Sequence, residues 1–208
     1  MIVTVLTPTF NRGGSLNNLY QSLQKQTIKD FEWLLVDDGS TDDTKNIAEE
    51  MREKAEFPMR CIYKENGGKH TALNVGVKQI TSELTFIVDS DDTLVPDAIE
   101  TILQYHKKYR EREDLCGYSF LRRFPDGKIN GKPFEPDEKV GTYIECRINA
   151  DDTQADKAEV FYTRCLKEFP FPEYRDEKFL GEDLVWIRMA MKYQMVHINR
   201  AIYVGNYL

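Results

Sequence analysis

The stretch Thr85-Phe86-Ile87-Val88-Asp89-Ser90-Asp91-Asp92 runs from an apolar, β-branched segment straight into three carboxylates. Thr85 to Val88 reads as a buried strand, so the carboxylates stand where that strand ends. Three like charges in four positions repel one another, and at the edge of a core they are costly unless a cation compensates them. The usual compensation is a hard divalent metal bridging to substrate phosphates, which points to phosphate-ester or nucleotide-sugar chemistry. Asp-rich turns ahead of proline-started helices also arise from helix capping, but capping accounts for one aspartate well and not for three.

Upstream, Ile2 to Leu6 is a similar apolar run, and Pro8 argues against its simple continuation as a central strand. Ser15 is placed to cap a helix with Leu16, Leu19, Tyr20 and Leu23 on one face. Phe31 to Val36 reads as the second strand. Asp37-Asp38-Gly39-Ser40 then turns towards a helix for which Ser40 and Asp43 have capping-box-like spacing. Met59 to Tyr63 is a third strand, and Glu65-Asn66-Gly67-Gly68 turns into a helix carrying Leu73, Val77 and Ile80. Pro96 suits the first turn of the helix that follows the acidic turn, with Ile99, Ile102, Leu103 and His106 on one stripe. Alternation at this pitch predicts an α/β fold, a mostly parallel central sheet with helices on both faces. In such sheets ligands bind beyond the carboxyl ends of the strands, which gathers residues 7–11, 37–40, 66–69 and 89–92 along one rim.

The second half reads as smaller and mixed. Leu115 to Arg123 is a strand, Asp126-Gly127 a hairpin turn, and Gly131 to Asp156 a polar region with little periodicity. Val160 to Thr163 and Met195 to Val204 are strands. Leu184, Ile187, Arg188 and Met191 mark a helix, and the charged, proline-broken loop from Lys167 to Lys178 is expected to border a ligand site. On the rim, Asn66-Gly67-Gly68-Lys69 offers backbone N–H groups and a cation at a helix start, a cradle for an anion. Asp38 suits hydrogen bonding to a nucleobase or ribose. Glu182 and Asp183 either compensate a helix dipole or supply a general base. His106, Trp33 and Trp186 read as core.

Over 208 residues, 30% charged and 41% hydrophobic composition describes an ordinary soluble globular protein with one sizeable core. No apolar run is long enough to span a bilayer, no signal-like segment follows Met1, and the chain is expected in the cytoplasm. A net charge of -7 argues against nucleic acid as a partner. The widely spaced Cys61, Cys116, Cys146 and Cys165 read as reduced thiols rather than a disulfide or zinc framework.

Five strings, taken in order, resemble the family 2 glycosyltransferases of the GT-A fold: Leu6-Thr7-Pro8-Thr9-Phe10-Asn11-Arg12, Trp33-Leu34-Leu35-Val36-Asp37-Asp38-Gly39-Ser40-Thr41-Asp42, Asn66-Gly67-Gly68-Lys69, Val88-Asp89-Ser90-Asp91-Asp92 and Gly181-Glu182-Asp183-Leu184-Val185-Trp186. The resemblance implies a single GT-A, Rossmann-like domain over 1–208, with a nucleotide-binding half at 1–112 and an acceptor-binding half at 113–208. It implies an inverting, metal-dependent enzyme moving a sugar from a nucleotide-diphosphate donor, uridine-based in most relatives, to a hydroxyl of a glycan or lipid-linked acceptor. Thr7, Pro8, Thr9, Asn11, Gly68, Lys69 and Ser90 would line the nucleotide site, and Asp38 would read the base. Asp91, with Asp89, would hold Mn2+ or Mg2+. Asp92, Glu182 and Trp186 would face the donor or acceptor sugar, and Asp183 would be the catalytic base. Relatives often carry a further metal- or diphosphate-facing residue beyond the last strand, whereas this chain ends at Gly205-Asn206-Tyr207-Leu208, so a C-terminal truncation is expected. Membrane contact would be peripheral, at the inner face.

Two other readings remain at this point. Asp89-Ser90-Asp91-Asp92-Thr93-Leu94 also resembles the nucleophile motif of haloacid-dehalogenase-type phosphatases, in which Asp89 would be phosphorylated, although three strand–helix units precede it here. The other is a nucleotide-sugar-binding module without transfer activity.

Overall fold

The alternation read in the first half becomes four parallel strands, β1 (Val3–Thr9), β2 (Phe31–Asp37), β3 (Met59–Tyr63) and β4 (Leu84–Ile87), in the spatial order β3-β2-β1-β4. The structure, a computed structural model, describes residues 1–150, 152 and 155–205. Between the strands lie α1 (Gly13–Gln24), α2 (Thr44–Lys54) and α3 (Lys69–Gln79). Side chains alternate along β2, so Trp33 and Val36 point to opposite faces. Trp33 stacks on Tyr20 of α1, ring centroids 6.2 Å apart. Val36 meets α3 at Gly76, where an added Cβ would lie 2.4 Å from Leu6 Cδ1. The two faces of the sheet are thus covered by different helices.

The second half extends the same sheet through β5 (Thr93–Leu94), α4 (Ala98–Tyr109), β6 (Leu115–Arg123), β7 (Lys139–Gly141), β8 (Lys157–Tyr162), α5 (Thr163–Glu168), α6 (Asp183–Ala190) and β9 (Gln194–Val204). β8 pairs antiparallel with both β4 and β6, and β6 runs parallel to β9. β5 and β7 pair antiparallel with β9, completing a nine-stranded sheet in one α/β domain. The polar region from Gly131 holds β7 and a π-helical turn at Ile144–Ile148. All four cysteines are free, three of them buried.

Four local expectations are corrected. β1 continues through Pro8 to Thr9 as a central strand. Leu6 C=O accepts from Val88 N–H on the β4 side at 3.0 Å, and Thr9 C=O accepts from Asp38 N–H on the β2 side at 2.8 Å. Pro8 points as Leu6 does, at the level where β4 has ended, so its missing N–H costs no ladder bond. Ser15 lies inside α1, and the N–H of Gly13 donates instead to Asp42 from the neighbouring helix lead-in at 3.3 Å. Ser40 turns back onto Asp37 Oδ1, so Asp42 rather than Ser40 accepts from the first N–H of α2. α6 buries Val185, Trp186, Met189 and Ala190, while Leu184 and Met191 of the stripe read from the sequence are 39% and 79% exposed.

One core residue makes stability depend on pH. His197 of β9 is fully buried, its Nε2 beside Gly141 C=O at 3.3 Å and its ring against Phe134. Burial pushes its pKa down from 6.5 to about 4, so it is neutral in the fold. The unfolded chain then binds one more proton between these values, and stability falls as pH falls through that window, by about 3 kcal/mol for this group. Urea denaturation between pH 7 and pH 4 should show the loss, and His197→Gln should remove that part of the acid slope.

Candidate active site

The carboxyl ends of β1, β2 and β4 open on a cavity of about 390 Å³. Of the residues expected there, Pro8, Thr9, Asp38, Lys69, Asp89, Ser90 and Asp91 line it, together with Phe10 and Arg12. Thr9 brings a buried hydroxyl that has no partner among the described residues. Thr7, Asn11 and Gly68 act behind the wall. Thr7 Oγ1 accepts from the Trp33 indole at 3.0 Å. Asn11, with φ of 52°, donates its N–H to Ser40 Oγ and accepts from Thr41 N–H, each at 2.8 Å, which ties the loop after β1 to the loop after β2.

Asp38 is buried and its carboxylate is heavily engaged. It accepts from Lys64 Nζ at 2.6 Å, from Asn66 Nδ2 and Gly67 N–H at 3.0 Å, and from Gly68 N–H at 2.7 Å. These donors shape the turn into α3. Gly68 has φ of +98° and lies against the backbone of Lys178, where a Cβ would meet the carbonyl oxygen at 2.1 Å. Only glycine fits both the conformation and the approach.

Each carboxylate of the acidic turn meets a cation or hydroxyl from a distant element. Asp89 pairs with Lys69 at 2.5 Å, Asp91 with Arg12 at 3.6 Å, and Asp92 with Arg122 at 3.7 Å. Asp92, expected at a sugar, is buried and accepts from Tyr203 Oη at 2.7 Å, while the same Oη accepts from Asp89 N–H at 3.0 Å. Tyr203 thereby clamps both ends of the turn. Burial pushes its phenol pKa far up, which keeps the O–H a donor to Asp92. Burial works to raise Asp89, but the Lys69 and Arg122 charges hold its carboxyl below the usual value.

No set of three His, Cys, Asp or Glu side chains converges as a metal cage among the described residues. Asp89 and Asp91 on one cavity wall fit the open kind of site, in which one or two carboxylates and substrate phosphates share a hard cation.

A second cavity of about 540 Å³ adjoins the first, and Lys69 lies on the wall of both. It gathers Glu182, Asp183 and Trp186 from the start of α6, with Arg122, Arg147 and Glu159 from the sheet and the turn beside it. Lys69 Nζ also meets Glu182 at 2.7 Å. Burial favours loss of the Lys69 proton, but the Glu182 and Asp89 carboxylates outweigh it and hold the ammonium charged. Trp186 stacks on Phe161 with centroids 4.2 Å apart and meets Phe171 edge-on, so its ring belongs to the core with one side towards the cavity. Burial raises Glu159 from 4.5 to about 7, against the pull of Arg147 and Arg122.

The family model for glycosyl transferase family 2 matches residues 4–158. The chain belongs to that family. The GalNAc(5)-diNAcBac-PP-undecaprenol beta-1,3-glucosyltransferase of Campylobacter jejuni is 34% identical over 209 residues, covering 96% of this chain and 62% of the relative. The chain therefore spans less than two thirds of that relative's length. Among solved structures, S. aureus TarS 1-349 in complex with UDP-GlcNAc superimposes with a TM-score of 0.79 at 24% identity, covering 100% of this chain and 59% of that one. Mannosyltransferase PcManGT from Pyrobaculum calidifontis, in complex with GDP-Man and Mn2+, gives 0.71 at 18% identity, covering 98% and 56%. Both likenesses show the GT-A fold.

Tyr203, Glu159 and the bridging role of Lys69 are absent from the expectations read off the sequence. The signal available for Arg122 was a charged pair, Arg122-Arg123, ending a strand that is otherwise buried. Tyr203→Phe keeps the ring beneath the Arg122 guanidinium, 3.9 Å away, and removes only the hydroxyl. Leaving Asp89 N–H and Asp92 without that partner should cost about 1–3 kcal/mol in chemical denaturation.

Proposed function

We propose that this chain transfers a sugar from a uridine-diphosphate donor to a hydroxyl of a glycan or lipid-linked acceptor, with inversion at the anomeric carbon. The first cavity, in residues 1–112, takes the donor, and the second, built largely from 113–208, takes the acceptor. The observation that carries this reading is Lys69, which stands on the wall of both cavities between Asp89 and Glu182, so that the two clefts meet at one ammonium. The UDP-GlcNAc bound to S. aureus TarS supports the uridine donor, and the undecaprenol-linked substrate named for the C. jejuni relative supports a lipid-linked acceptor. Such an acceptor would place the work at the cytoplasmic face of a membrane. No described helix is long and apolar enough to cross one.

In this reading the Thr9 hydroxyl, without a partner among the described residues, faces the base, and Asp38 shapes the base pocket through the Asn66–Gly68 turn that it holds. Lys69 and Arg12, both on the wall of the first cavity, orient the diphosphate. Mn2+ or Mg2+, held by Asp91 and Asp89, would neutralise the charge that develops on the departing diphosphate. The Mn2+ in the PcManGT complex supports that assignment. Asp183, on the wall of the second cavity, takes the proton from the acceptor hydroxyl as it attacks the anomeric carbon opposite the leaving group. The transition state carries oxocarbenium character. Family membership displaces the phosphatase reading.

Calorimetric titration with UDP should show binding that Mn2+ tightens. Asp91→Asn should remove most of the metal-dependent part at unchanged melting temperature, and metal-independent binding unaltered in that variant would overturn the donor assignment. Asp183→Asn should leave UDP affinity nearly unchanged and lower transfer roughly a hundred- to ten-thousand-fold, the span for losing a general base. Loss of UDP binding in Asp183→Asn would reassign the residue to the donor site.

A further inference from the structure

The second cavity has one wall that the proposed chemistry does not use. Phe179 lines it with 83% of its surface exposed, and Ile148, 38% exposed, lines it as well. Phe179 makes no ring contact among the described residues, so its own packing does not hold it in place. Its neighbours do. Phe179 N–H donates to Glu177 Oε1 at 2.8 Å, Lys178 Nζ donates to Asn66 Oδ1 at 2.7 Å, and the Lys178 backbone rests on Gly68. Asn74 of α3 fastens the start of the same loop, accepting from Phe171 N–H at 3.0 Å and donating to Phe171 C=O at 2.8 Å. An exposed aromatic is thus presented at the cavity by a loop braced against the donor-side turn.

Three of the cations that line the cavity are already paired with carboxylates. Lys157 is engaged by Asp152, and Arg147 by Glu159 and backbone carbonyls. Arg122 is held by Asp92 and by Lys157 C=O. An anion seated on Lys157, Arg147 or Arg122 would have to break these pairs, and Lys178 on the same wall is itself held by Asn66 Oδ1. A pyranose needs no such exchange: one face displays C–H groups, which suit the negative face of an aromatic ring, and its edge displays hydroxyls, which suit carboxylates and guanidinium groups.

We propose that Phe179 is a stacking platform for the acceptor's terminal sugar ring and that the second cavity selects a neutral pyranose. This rests on the reading of that cavity as the acceptor site. Phe179 and Ile148 cover the apolar face of the ring, and Asp183 meets a hydroxyl at its edge.

Saturation-transfer NMR tests this with the methyl β-glycosides of glucose, galactose, N-acetylglucosamine and N-acetylgalactosamine at millimolar concentration, and with hexyl phosphate as the anionic, apolar competitor. At least one glycoside should receive saturation on the C–H protons of one ring face. Phe179→Ala should weaken that binding at least fivefold, Phe179→Tyr should retain it, and UDP affinity should be the same in both variants. Absence of glycoside binding, equal binding in Phe179→Ala, or preference for hexyl phosphate would each overturn the proposal. Failure of the donor reading would show separately, as absence of UDP binding to the unmodified protein.

Discussion

The ion bridge from Asp89 through Lys69 to Glu182 is the interaction on which the arrangement of the site depends. The acidic turn ends a strand in the first half of the chain, and Glu182 opens a helix near the end of the second. Without a cation between them the two carboxylates would repel across the junction of the cavities. Lys69 occupies that junction because it is the first residue of α3, and α3 is pulled tightly onto β1 through Gly76. Position in the fold, more than local sequence, makes this lysine the meeting point of the two clefts.

A second set of contacts runs parallel to the bridge. Asp38 organises the turn from Asn66 to Gly68, the turn supports Lys178, and Lys178 leads into the loop that carries Phe179, Glu182 and Asp183. Tyr203 ties the acidic turn to β9 from beneath. Residues proposed for the donor are therefore in physical contact with those proposed for the acceptor.

The sequence made the scaffold largely legible and the connections largely illegible. β3 and β6 fall on their predicted residues because their apolar runs are bounded by clear turn signals. Pro8 misled because a proline's cost depends on which neighbour its missing N–H faces, and that is set by where β4 ends. The α6 stripe misled because the helix carries apolar residues on both sides, and burial chose Val185, Trp186 and Met189 over Leu184 and Met191. Three carboxylates within residues 89–92 demand compensation, which the sequence reading assigns to a divalent metal. The lysine and arginines that supply part of it, Lys69, Arg12 and Arg122, come from separate elements, so no local pattern could pair them with Asp89, Asp91 and Asp92. The two-residue strand β5 has no signal of its own and exists only through its pairing with Tyr203 and Val204.

The most direct measurement is a double-mutant cycle on Lys69→Gln and Glu182→Gln, read by UDP affinity. If Lys69 joins the two cavities, the effect of removing Glu182 depends on whether Lys69 is present, and the two changes should miss additivity by about 1 kcal/mol or more. Additivity within about 0.5 kcal/mol would mean that the two clefts act independently, and the account of a shared junction would be contradicted.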